Sequence, residues 1–245
     1  MKFDLPGTYD FQEHSWFSPH LVIKAMRQLA HIYRSNVESK REFQLAREMF
    51  NSAIALLGAY ELHHDNRYYL QPNLQNASPD IVAVKFTESV EGVVLEVSQL
   101  ELVEMNDYSS TNDVVNFLLK TKLSSRKSYD SKTIILCVVN KEIPVNSLEI
   151  SMELKKIRSA STIYIVGKAQ GNNSDWVIFS PYPDLIKPVI YNITKTMEKY
   201  DLPSPMMLRR KIIKKILYVN ASPKPTSIYD IFNLKEERLK KYLRT

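Results

Sequence analysis

The stretch that most restricts the fold is residues 67–105, where apolar side chains stop recurring at helical spacing and begin to alternate. Three β-branched and aromatic runs, "RYYLQP", "DIVAVKF" and "GVVLEVSQLELVEM", are separated only by "NLQNAS" and "TESVEG". That pattern predicts an antiparallel three-stranded meander. Two helical patterns precede it. The first opens at Ser18 as N-cap with Pro19 at the first helical position, and the second runs from about Ser39 to Gly58, whose glycine reads as the stop signal. After the meander come a helix over "SSTNDVVNFLLKTKL", entered through Ser or Thr caps, and a strand "KTIILCVVN" apolar enough to be buried on both faces. A helix "NSLEISMELKKIRSAS" and strands "TIYIVGK" and "DWVIFSP" follow, after which Pro181, Pro183 and Pro188 break the pattern ahead of a helix near "IYNITKTMEKY". Helices alternating with buried strands predict an α/β chain with a mixed sheet covered on both sides.

"DLPSP" at 201–205 marks a boundary, giving an α/β domain over 1–200 and a basic helical C-terminal extension over 201–245. The formal charge of +6 is uneven. Residues 201–245 hold 11 Lys and Arg against 4 Asp and Glu, leaving 22 against 23 in residues 1–200. Arg209, Arg210, Lys211, Lys214 and Lys215 are therefore the expected contacts to a nucleic-acid backbone.

Several classes of function find no support. Glycine numbers only 5 and neither G-x-G-x-x-G nor the P-loop pattern occurs, which speaks against nucleotide-driven chemistry. The single cysteine, Cys137, lies in an apolar strand and reads as a buried inert thiol. No apolar h-region opens the chain and no run nears the roughly 18 apolar residues of a membrane span, so a cytoplasmic, intracellular protein without a membrane partner is expected. His63-His64-Asp65 lacks metal-ligand spacing and reads as a polar turn.

The acids are more informative. Asp80 and Glu96 each interrupt an oily strand, and a buried carboxylate is costly unless a strong partner such as a metal ion compensates its charge. If the two strands pair across "TESVEG", the two acids are expected to converge at one edge of the sheet. A third comes from the second helix: at 100° per residue, Glu42 falls at the centre of the stripe formed by Phe43, Leu45, Ala46, Met49, Phe50, Ala53 and Leu57, while Glu48 falls with Gln44 and Ser52 on the outer side.

A helix with an inward Glu42, then Pro79-Asp80, then Glu96 on the next strand, followed by helix and strand, resembles the PD-(D/E)XK restriction-endonuclease-like superfamily over roughly residues 39–170. The resemblance implies a restriction-endonuclease-like mixed sheet flanked by helices, with Glu42, Asp80 and Glu96 holding Mg2+ or Mn2+. It also implies a lysine two residues after the second acid. Here that motif is Glu96-Val97-Ser98, with Ser98 where the lysine belongs. Candidate substitutes are Gln99 next door, Lys120 or Lys122 on the following helix, and Lys85, whose alternation from Asp80 is wrong. The implied function is metal-dependent hydrolysis of phosphodiester bonds in nucleic acid, DNA favoured. The alternative is a catalytically inactive member of the fold that binds nucleic acid or a protein partner. A homodimer or a place in a larger assembly belongs to the same expectation.

Overall fold

The structure is a computed structural model, and it describes residues 16–200 apart from short segments at 35–36, 38–39, 65–67, 73–78, 90–91, 125–128, 130–131, 158–160 and 171–173. The side chains of Glu42 and of residues 86–95 also lie outside that description, as does the whole of 201–245, with Arg209, Arg210, Lys211, Lys214 and Lys215.

Helix α1 (Pro19–Tyr33) begins as its sequence dictates: the Ser18 hydroxyl accepts the Leu21 N–H and Pro19 occupies the first turn. A single 3-10 turn (Arg41–Phe43) then leads into α2 (Gln44–His63). Next come β1 (Tyr68–Pro72), β2 (Ile81–Ser89), β3 (Gly92–Met105), α3 (Val114–Thr121) and β4 (Thr133–Val139). The described chain closes with α4 (Ser147–Ile157), β5 (Thr162–Lys168), β6 (Asp175–Tyr182), β7 (Ile186–Asn192) and α5 (Ile193–Lys199).

Among the described residues, seven strands form one mixed sheet in sequential order. β1, β2 and β3 are the antiparallel meander, β3, β4 and β5 run parallel through the α3 and α4 crossovers, and β6 and β7 return antiparallel. Helices α1, α2 and α5 pack on one face, over Leu70, Ile81, Ala83, Leu100, Leu102, Leu136 and Ile178. Helices α3 and α4 pack on the other, over Ile135, Cys137, Ile163, Ile165 and Phe179. The expected α/β sheet covered on both sides is therefore present.

Three local expectations are corrected. Gly58 does not end its helix; α2 continues to His63 and stops at His64, in the left-handed conformation. Gly58 is instead a close-approach site, because a Cβ there would meet Ile178 Cγ2 at 2.7 Å and Tyr191 Cε1 at 2.8 Å. Helix α3 is capped by Asp113, whose carboxylate accepts the N–H groups of Val115 and Asn116, and not by Ser or Thr. The prolines after β6 do not abolish strand structure either: β7 contains Pro188, which is tolerated because β7 is the outermost strand and one side of it has no ladder to complete.

Candidate functional site

Register decides which acids meet. In the β2–β3 ladder Ile81 lies opposite Leu100 and Lys85 opposite Glu96. Asp80, one residue before Ile81, therefore comes beside Glu101. Glu96 is five positions further along β3, about 17 Å away at strand rise, and by alternation its side chain leaves the opposite face of the sheet. Asp80 and Glu96 are not brought together. Glu96 is exposed and pairs loosely with Lys85, Nζ to Oε2 being 3.9 Å, a surface contact of little energetic weight. The hairpin alone suggests convergence, and its pair-by-pair register rules it out.

What Asp80 does meet is a compact charged cluster. Its Oδ2 accepts the Leu102 N–H at 2.8 Å, which ties the carboxylate to the backbone of β3. The Lys122 ammonium lies 3.4 Å from the same oxygen and 2.7 Å from Glu101 Oε2. Relative exposures of the three side chains, 30% for Asp80, 12% for Lys122 and 6% for Glu101, place the opening to solvent at Asp80. Lys122 arrives from the residue just past α3, where its N–H still caps the helix by donating to Leu118. Burial alone would lower its pKa, but the hydrogen bond to Glu101 and the charges of Asp80 and Glu101 outweigh burial and raise it. At neutral pH Lys122 is thus firmly a cation. It can hold an anionic oxygen but cannot serve as a base.

Glu48 shares this field. Burial first, then the Asp80 charge, raise its pKa, opposed by a hydrogen bond from Gln44 and by Lys122 and Arg47. It is half-buried and not on an outer face, because α2 is buried around most of its circumference, Asn51, Ser52, Ala55 and Leu56 included. Tyr129 lies close as well, its phenol pKa raised by burial and then by Glu101.

The remaining expected residues separate. Glu42 falls in the 3-10 turn ahead of α2, so the helical wheel that centred it on the apolar stripe does not extend to it; its side chain lies outside the described residues. Ser98 pairs across from Ala83 and faces the α2 side, lining a cavity of about 120 Å³ with Ala55, Ala59 and Leu100. Lys120 is exposed. Lys85 has the alternation that its sequence position indicated, opposite to Asp80. Gln99 is buried on the Asp80 face. Cys137 is fully buried, and burial pushes its thiol up to about 12, which fits an inert core residue.

Glu101, Lys122 and Glu48 are what the sequence reading underweighted. The signal was available for the first: any turn centred between Val90 and Glu91 puts residue 101 opposite Asp80. For Lys122 and Glu48 no such arithmetic exists, since their positions depend on how α3 and α2 lie on the sheet.

Two carboxylates and a cation beside a partly open edge suit an oxyanion ligand, and the hard oxygen donors of Asp80 and Glu101 suit a hard divalent ion, which commonly takes one or two carboxylates and completes its shell with water and phosphate. Among the described residues, which leave out the Glu42 side chain, no three His, Cys, Asp or Glu side chains stand close enough to hold one metal ion. Among the described residues, too, no helix is long and apolar enough to cross a membrane. Comparison with protein-family models, with characterised proteins and with solved structures finds no match for this chain.

Proposed function

We propose that the protein is a restriction-endonuclease-like phosphodiesterase, dependent on Mg2+ or Mn2+, that hydrolyses nucleic acid at the Asp80–Glu101–Lys122 cluster. The observation that carries this reading is Lys122 lying 3.4 Å from Asp80 and 2.7 Å from Glu101. An amine delivered by the helix after β3 fills the gap left by Ser98 in the Glu96-Val97-Ser98 motif. The order α2, β1–β2–β3 antiparallel, α3, then β4 parallel to β3, supports the same frame. On this reading Asp80 and Glu101 replace the Asp80 and Glu96 pairing.

Asp80 and Glu101 would hold the cation, which when bound supplies a water of lowered pKa and offsets charge on the phosphate. Leu102 N–H fixes the direction of the Asp80 carboxylate, leaving its Oδ1 for a ligand. Lys122 turns its remaining N–H groups to a non-bridging oxygen of the phosphodiester. Glu48, its pKa raised first by burial and then by the Asp80 charge, is the nearby carboxyl suited to pass a proton. Hydrolysis joins one water oxygen to phosphorus and breaks one P–O ester bond. The products are a phosphate monoester and a free hydroxyl, the displaced oxygen taking one proton and solvent the other. DNA is the favoured substrate, with the basic residues Arg209 to Lys215 adding backbone affinity.

A second reading has its own observation. With no three-acid group among the described residues and Lys122 already engaged by both carboxylates, the fold equally suits a catalytically inactive protein that binds nucleic acid or a protein partner. Cleavage of single-stranded, duplex and branched DNA and of RNA, with and without Mg2+ or Mn2+, separates the two. Activity present in wild type and lost in both Asp80→Ala and Lys122→Met supports the enzyme; cleavage that persists in Asp80→Ala sinks it. Binding without cleavage, steeply salt-dependent and weakened by deleting 206–245, supports the inactive reading.

A further inference from the structure

The sheet face that carries Asp80 and Glu101 continues, one row inward, as Gln71–Val82–Gln99: Gln71 pairs with Val82 and Val82 with Gln99. Gln71 is 0% exposed and Gln99 5%. Yet both nitrogens and the Gln71 oxygen have no hydrogen-bond partner among the described residues. Alternation aims the two side chains to the same side, flanking Val82 on neighbouring strands about 5 Å to either hand.

A fold selected for stability alone has no use for two such amides, because leucine or methionine would fill the same positions without stranding a donor. Three unspent polar atoms around one small side chain match what an internal water requires, namely two to four partners in a polar recess. Val82 at the centre of the row is packed by Trp16 and Val97, and the polar neighbours lie at its flank. Asp80, Glu101 and Lys122 form the next row, Tyr129 lies beside them, and Thr133 pairs with Gln99 from β4.

We propose that Gln71 and Gln99 wall an internal water site lying directly behind the Asp80–Glu101–Lys122 cluster, and that both are positioning residues for the water the cluster consumes. The water site stands on the buried amides; its use in hydrolysis rests on the nuclease reading. Deuterium and oxygen-17 relaxation dispersion of solvent water, which registers long-lived internal waters, tests the first statement on the full chain.

The wild type is expected to show such waters, and Gln71→Leu with Gln99→Leu to lose at least one of them with a Tm that is unchanged or lower. An unchanged dispersion signal with a raised Tm in each single variant would mean dry, merely tolerated amides, and overturns the site. The second statement is read from steady-state cleavage. The same variants should lower kcat about 10- to 100-fold with KM nearly unchanged, the range usual for residues that act through a neighbour. Loss of the water signal with kcat intact overturns the positioning role. If wild type cleaves nothing, the nuclease reading and the positioning role fail together, and the relaxation measurement still decides the water site.

Discussion

The face of the sheet beneath α3 and α4 has two halves built by one alternation rule, one wholly apolar and the other interrupted by charged and amide side chains. Under β4, β5 and β6 it is Ile135, Cys137, Ile163, Ile165 and Phe179, closed by Phe117, Leu118, Ile150 and Leu154. Under β1, β2 and β3 the same face sets Gln71, Gln99, Glu101 and Asp80 among Tyr69, Val82 and Val84, with Lys122 reaching in from the end of α3. Both halves are largely buried, so exposure does not distinguish them. The first half is what hydrophobic burial selects, while the second costs desolvation at each of its polar positions. A chain keeps the second half for a purpose that stability does not supply, and the first half compensates for it.

The comparison breaks most readily at Lys122. Lys122→Met removes the ammonium that lies 2.7 Å from buried Glu101 and should cost about 3–5 kcal/mol, or roughly 10 °C in Tm. Adding Glu101→Leu should recover most of that loss while abolishing cleavage. A Lys122→Met cost below about 1 kcal/mol by denaturant titration would place the cluster among ordinary surface pairs. Because the Lys122 pKa is raised, its stabilisation is complete below the ordinary value of 10.5 and is lost as pH climbs through the folded value.

In the apolar half, Leu118→Ala should cost about 2–5 kcal/mol, a loss in Tm with kcat retained. If kcat falls as far as stability does, the two halves are not separable. Gly58→Ala should be destabilising by about 1–3 kcal/mol despite alanine's better helix propensity, because the new methyl meets Ile178 and the buried ring of Tyr191. Equal or greater stability would mean that α2 can shift off the sheet.

Glu48→Gln should be a smaller change, and of opposite sign. A carboxyl with raised pKa is penalised when charged, so the variant should be modestly more stable at pH 7. That gain should fade as pH falls through the raised folded value and be gone below the ordinary value of 4.5. A variant less stable at pH 7 would show that Glu48 is held as a carboxylate by Lys122. Smallest is Cys137: with the thiol pushed up to about 12 and fully buried, folded protein at pH 8 should not react with a thiol reagent except at the rate of unfolding.

Much of the frame was legible because it is written locally. Ser18-Pro19 announces α1, the alternation in "DIVAVKF" announces β2, and the unbroken apolar run of β4 announces burial on both faces. Where the reading failed, distance along the chain was the cause. Gly58 looks like a stop only until Ile178 and Tyr191, over a hundred residues later, are known to press against it. Pro188 forbids a central strand and allows an edge one, and no local pattern says which. Asp80 was legible as an acid out of place, but its partners were not: Glu101 follows from counting a ladder, while Lys122 depends on the tilt of α3.

That dependence has an evolutionary side. An amine mounted on a strand moves only when the whole sheet moves, whereas one mounted just past α3 is set by how many residues that helix contains. Removing one residue between Val114 and Thr121 would swing Lys122 by about 100° around the helix axis, out of reach of Asp80, and restoring one would return it. Descendants of such a chain could lose and regain their ammonium group through single-codon length changes in α3, with every carboxylate still in place.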